Sequence, residues 1–151
     1  MIFKYTVCFI KQDNNILMLN REKAPIMGIW NGVGGKIELH ESPEQAAIRE
    51  VWEETGIQLD GFLSQGVITW ENSEGIVDGL HVFLGEVDRD FTYITPQKTR
   101  EGILDWKKID WILNPNNLGI PEKIPHYLPM LLNQKGYHSF TYKNGIMEHQ
   151  R

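Results

Sequence analysis

The chain reads as short apolar runs separated by polar turns, with one longer helical stretch set among them. Ile2 to Ile10 is β-branched and aromatic and predicts a strand. Asp13-Asn14-Asn15 is a turn and Ile16-Leu17-Met18-Leu19 a second strand, so the two predict a hairpin. Arg21 to Gly28 reads as a loop. Between Ser42 and Gly56 the period becomes helical: at about 100° per residue, Ala47, Ile48, Val51 and Trp52 cover one face. Strands then follow at Gln65 to Trp70 and Gly79 to Val87, around a turn at Asn72-Ser73-Glu74-Gly75. Asp88 to Arg100 is polar and predicts a surface loop, and Ile103 to Ile109 an inner strand. Asp110 is placed to cap a short helix through Trp111, Ile112 and Leu113. Ile124 to Asn133 is helical in period despite Pro125 and Pro129. Tyr137 to Tyr142 alternates like an edge strand before a turn at Asn144-Gly145. No repeat or linker interrupts the pattern, so residues 1–151 predict a single domain of α+β class, a sheet with helices on its faces.

Composition narrows the partners. The 151 residues are 41% hydrophobic and 23% charged, as in a soluble globular domain. A net charge of −5 with no run of Lys or Arg argues against duplex nucleic acid or a membrane surface. It leaves a small nucleotide open, since a bound metal supplies positive charge locally. The single cysteine, Cys8, excludes an internal disulfide and reads as a buried strand residue. The first residues are too interrupted for a signal peptide's apolar region, which predicts a cytoplasmic protein. The five histidines show no i, i+4 pairing of the zinc type.

The helical stretch carries the chemistry. Ser42-Pro43-Glu44-Gln45 is a start signal, with Ser at the N-cap, Pro at N1 and Gln at N3 for a capping box. Thr55-Gly56 is a stop, with Gly suited to a left-handed residue past the end. Glu50, Glu53 and Glu54 gather opposite the apolar face, where like charges repel. A hard divalent cation with oxygen ligands would offset that repulsion. Arg49, four residues before Glu53, can hold that carboxylate. Just upstream, Trp30-Asn31-Gly32-Val33-Gly34-Gly35-Lys36 supplies glycines for a tight loop and close approach to a ligand. The Asn31 amide can donate and accept, which suits a purine edge, or it can simply shape the turn. Lys36 and either Arg21 or Lys23 are candidate phosphate contacts, or else solvated surface side chains.

The spacing of Gly35, Glu41, Arg49-Glu50, Val51, Glu53-Glu54, Gly56 and Ile57 fills every fixed position of the Nudix box. The chain therefore resembles Nudix hydrolases, which cleave a nucleoside diphosphate linked to another group. Beyond the box it is similar to the MutT-type branch that sanitises oxidised purine nucleoside triphosphates. Tyr5-Thr6, Trp30-Asn31-Gly32, His81-Val82-Phe83, Glu101 before Trp106, Tyr127 to Leu132 and Tyr137-His138 match that branch in order. Ile120-Pro121-Glu122-Lys123 departs from it, standing where the branch has a base-stacking Trp and two adjacent Asp residues. Trp111 is a candidate stand-in for the Trp, or a core residue of its helix.

The resemblance implies an α/β/α sandwich with a mixed β-sheet and a Mg²⁺ cofactor, with Mn²⁺ as an alternative ion. It implies the Gly34 carbonyl, Glu50, Glu53, Glu54 and Glu101 as metal ligands, Thr6 in the base pocket and Asn31 on the purine. Either Glu53 or Glu101 would be the general base, and Arg49 would orient the acids. The expected activity is pyrophosphohydrolysis of an oxidised purine nucleotide such as 8-oxo-dGTP by a monomer or homodimer. The alternatives are another nucleoside diphosphate derivative (capped RNA, a dinucleoside polyphosphate or a pterin triphosphate), or a silent nucleotide-binding module.

Overall fold

A computed structural model of the chain describes residues 3–150. Strands β1 (Thr6–Gln12) and β2 (Asn15–Arg21) form the expected hairpin, turning through Asp13 in a left-handed conformation. Ile2 lies outside the described residues, and β1 itself begins only at Thr6. The short strand β3 (Trp30–Asn31) lies against β2, and α1 (Pro43–Thr55) follows. Then come β4 (Ser64–Glu71), β5 (Val77–Glu86), β6 (Gln97–Lys98), β7 (Gly102–Lys108), α2 (Ile109–Ile112), α3 (Ile124–Asn133), β8 (Gly136–Lys143) and β9 (Ile146–Gln150).

Among the described residues, all nine strands join one sheet in the order β6-β7-β2-β1-β5-β4-β8-β9, with β3 paired to β2 off this path. The β1–β5 and β4–β8 pairs are parallel and the rest antiparallel, so the sheet is mixed. Alternation sends successive side chains to opposite faces. Cys8, Ile10, Leu17, Leu19 and Phe83 meet Ala47 and Val51 of α1 on one face. Phe9, Ile16, Met18, Val82 and Leu84 meet Tyr127, Leu128 and Leu131 of α3 on the other. The result is an α+β sandwich. Cys8 is fully buried in β1, and desolvation pushes its thiol up to about 12.

Four details differ from the sequence pattern. Trp52 is 54% exposed, because Ala46, Ala47, Val51 and Thr55 form the buried stripe of α1 instead. The short helix α2 begins at Ile109 with Lys108 at its N-cap and no side-chain cap, so Asp110 is a first-turn residue. The Asp88 to Arg100 loop carries the short strand β6. The Tyr137 to Tyr142 segment lies inside β8, which sits between β4 and β9 rather than at the edge.

Candidate functional site

The site is built where α1 and the Gly-rich loop meet the start of β1. Ser42 accepts from the Gln45 backbone N–H, and Gln45 reaches back to the Ser42 N–H, closing the capping box. Gly56 ends the helix at φ 77° and donates to the Trp52 carbonyl. The loop is stitched to β1: the Thr6 N–H donates to the Gly35 carbonyl at 2.9 Å, and Cys8 and Val33 exchange backbone bonds. That closeness is why glycines are needed. A Cβ on Gly34 would collide with the Thr6 carbonyl, and one on Gly35 would lie 2.5 Å from Glu50 Oε1.

Arg49 ties the acids to this loop. Its Nε donates to Glu41 Oε2 at 2.8 Å, and its Nη2 to Glu41 Oε1 and to the Lys36 carbonyl. Its Nη1 donates to Glu50 at 3.0 Å and to Glu53 at 3.2 Å. The Arg49 hydrogen bond holds the Glu41 carboxyl below its ordinary range. Lys36 joins this network through its backbone carbonyl.

A cleft of about 440 Å³ opens beside the network. Its walls bring together Thr6, Arg21, Asn31, Gly34, Glu50, Glu54 and Glu101. Lys23, Lys36, Arg49 and Glu53 do not line it; the Glu53 side chain is 52% exposed and turned to Arg49. Sequence reasoning missed the apolar wall of Leu19, Pro25, Ile26 and Leu80. Only its hydrophobicity could have pointed to it. Trp111, 38% exposed beside Lys107, is neither core nor cleft wall.

The electrostatics of the cleft are those of a crowded anionic site. Glu54 Oε2 is buried with no hydrogen-bond partner among the described residues. Burial, then the Glu50 and Glu101 charges, push its carboxyl from 4.5 up to about 8, against the pull of Arg21. Glu101 lies just before β7, with its N–H on Thr99 Oγ1 and its carbonyl accepting from the Glu22 N–H. Its carboxylate pairs with Arg21 at 3.2 Å, while Arg21 Nε is buried and unpartnered. Asn31 Oδ1 accepts from the Gly32 N–H at 2.8 Å, so this side chain does shape its own turn while it lines the cleft.

Among the described residues, no group of three or more His, Cys, Asp and Glu side chains is arranged to hold a metal ion. Arg49 draws Glu50 and Glu53 toward itself, and Arg21 draws Glu101. The donor chemistry still fits a hard cation. The facing groups are carboxylate oxygens, one of them buried and unsatisfied, and repulsion among them is the kind a divalent ion relieves. Among the described residues, no helix is long and apolar enough to cross a membrane.

Comparison with known proteins agrees with this geometry. The NUDIX domain model matches residues 3–130. An oxidized purine nucleoside triphosphate hydrolase of Mus musculus is 28% identical, over 96% of this chain and 91% of its own. An uncharacterized Nudix hydrolase of Bacillus subtilis is 31% identical, over 92% of this chain and 86% of its own. A crystal structure of a MutT protein from Bacillus halodurans superposes with a TM-score of 0.68 at 24% identity, covering 99% of this chain and 98% of that one. With an intact box, the fold and these relatives, the chain belongs to the Nudix family: it is a MutT-type Nudix hydrolase, an enzyme acting on phosphoric anhydride bonds.

Proposed function

We propose that residues 1–151 act as one catalytic domain that hydrolyses a nucleoside triphosphate to the monophosphate and pyrophosphate, with an oxidised purine such as 8-oxo-dGTP as substrate. The observation that carries this reading is the convergence of Glu50, Glu54 and Glu101 with the Gly34-Gly35 loop in one cleft. The mouse relative's name supports the choice of substrate. The enzyme would act on a small-molecule nucleotide in the cytoplasm, as a monomer or homodimer.

Glu50, Glu54, Glu101 and the Gly34 carbonyl would hold Mg²⁺ or Mn²⁺, with Glu53 joining once it leaves Arg49. When bound, the ion supplies charge to the phosphate oxygens and lowers the pKa of an attacking water. The protein groups do the rest. Glu101 is the better placed of the two candidate bases, since it stands on the cleft wall and Glu53 does not. Freed from Arg21, its carboxylate can take the proton of the water. Arg21, charged and only partly paired, is the cation of the cleft left to meet a phosphate; Lys23 and Lys36 lie off its walls. Arg49 keeps the acids in place. Thr6 and Asn31 line the wall toward the base.

The test is a substrate panel with identified products: 8-oxo-dGTP, dGTP, a dinucleoside polyphosphate, a capped RNA end and a pterin triphosphate. Mg²⁺-dependent pyrophosphate release, fastest from 8-oxo-dGTP, is expected. Release of inorganic phosphate alone, or faster turnover of another member, would overturn the reading.

A further inference from the structure

Two arginines stand among the acids of the site, and they are held differently. Arg49 donates to Glu41, Glu50 and Glu53 at 2.8–3.2 Å. Arg21 ends β2 and, among the described residues, is the one Lys or Arg on the wall of the glutamate cleft. Its Nη1 lies 3.2 Å from Glu101 Oε2, while its Nε is buried with no partner. A buried donor without an acceptor costs stability, so the pair with Glu101 leaves part of the guanidinium unsatisfied. The backbone at Glu101 is firmly tied by contrast. Its N–H donates to Thr99 Oγ1 at 3.1 Å, and its carbonyl accepts from the Glu22 N–H at 3.0 Å. Lys98 Nζ closes the same turn, donating to Glu22 Oε1 and to the Thr99 carbonyl. Gly102 faces Arg21 in register, where a Cβ would collide with the Asn20 carbonyl. The main chain at Glu101 is fixed, and its carboxylate is the part that can change partner.

We propose that Arg21 is a positioning residue that acts through Glu101: in the free protein it holds the Glu101 carboxylate to itself, and it releases that carboxylate to the metal when a phosphate takes the guanidinium. The inference rests on the proposed function above, in which Glu101 serves the metal and Arg21 a phosphate. Glu50, Glu54 and Glu101 set three carboxyl groups against the single cation of Arg21 on this wall. A divalent ion arriving alone finds Glu101 engaged. A polyphosphate arriving alone finds Arg21 engaged, with two further acids beside it. A metal-bound phosphate satisfies both side chains: the guanidinium gains anionic oxygens and Glu101 gains a cation. Arg21 thereby couples the two binding events, and such coupling is reciprocal.

The experiment measures two affinities by calorimetry in wild type, Arg21→Gln, Glu101→Gln and the double variant. Mn²⁺ is titrated alone, and inorganic pyrophosphate is titrated in EDTA. Arg21→Gln should bind Mn²⁺ about three- to five-fold more tightly than wild type, and Glu101→Gln should gain similarly on pyrophosphate, the scale of one partly exposed ion pair. Arg21→Lys, which can remake the pair, should bind Mn²⁺ as wild type does. Each gain should vanish when the other partner is already glutamine, because a double-mutant cycle isolates the pair. Gains of equal size in both backgrounds, the mark of a general charge effect, overturn the inference, as does the absence of a gain. Circular dichroism checks each fold, and Arg21→Met, which keeps an apolar stem, enters the cycle if Arg21→Gln does not fold. If the gains appear but no triphosphate is turned over, the proposed function fails and the competition within the pair stands. Turnover without the gains keeps the function and removes the inference.

Discussion

Glu54→Gln tests the carboxylate cluster through stability and chemistry at once. The Glu54 carboxyl rises from its ordinary 4.5 to about 8, chiefly because it is buried. A group protonated more readily when folded than when unfolded costs stability as pH climbs from the lower value to the higher. From 4.5 to pH 7 is about 2.5 pH units, or roughly 3 kcal/mol at about 1.36 kcal/mol per unit. Glutamine keeps the shape and carries no charge at any pH. In EDTA near pH 7 the variant should therefore be more stable than wild type by up to about 3 kcal/mol, which is roughly 6–12 °C in Tm for a chain of this size. Near pH 4, where Glu54 is protonated in both states, the two should unfold together. Turnover at saturating Mg²⁺ should nevertheless fall by about two orders of magnitude or more, the scale of losing one electrostatic stabiliser. The assay is urea unfolding across that pH range in EDTA, paired with pyrophosphate release in Mg²⁺. A stability difference that does not grow with pH would refute the buried repulsion. Near-wild-type turnover at saturating Mg²⁺ would refute the metal role.

Three further outcomes are expected. Glu101→Ala should lower kcat strongly with little change in KM, as for a group that acts in the transition state; a rise in KM alone would remove it from the catalytic set. Asn31→Ala should narrow the preference for 8-oxo-dGTP over dGTP by roughly ten-fold if its amide reads the base. An equal loss on both substrates would leave Asn31 only the turn that its bond to the Gly32 N–H already shapes. Gly35→Ala places a Cβ against the carboxylate end of the Glu50 side chain rather than against backbone, so circular dichroism should stay native while turnover falls several-fold or more. Unaltered turnover would show that the Glu50 position is not critical.

What the sequence made legible was local. Ser42, Gln45 and Gly56 mark the ends of α1 because caps are set by a few neighbouring residues, and the hairpin turn at Asp13 is of the same kind. The box fixed which glutamates to watch. It did not say which would be buried, because the depth of Glu54 depends on β1, the loop and Glu101 converging on it from distant parts of the chain. β8 alternates like an edge strand yet lies inside the sheet for the same reason: alternation describes two faces of a strand and says nothing of its neighbours. Trp52 follows the helical period of the apolar face yet is exposed, because large apolar side chains are often left partly exposed. That Arg21 lines the cleft and Lys23 does not depends on the fold and could not be read from their spacing.

The Arg49 network has an arithmetic consequence. A guanidinium has five N–H groups, and here each has its own acceptor: Nε on Glu41, Nη1 on Glu50 and Glu53, Nη2 on the Lys36 carbonyl and Glu41. Arg49 is thus a saturated donor. It has no N–H left for a phosphate unless an acid lets go: Glu50 or Glu53 recruited elsewhere would free one N–H of the arginine, and Glu41 two. A lysine, with three donors, would leave two of those acceptors unmet, and so could not take its place.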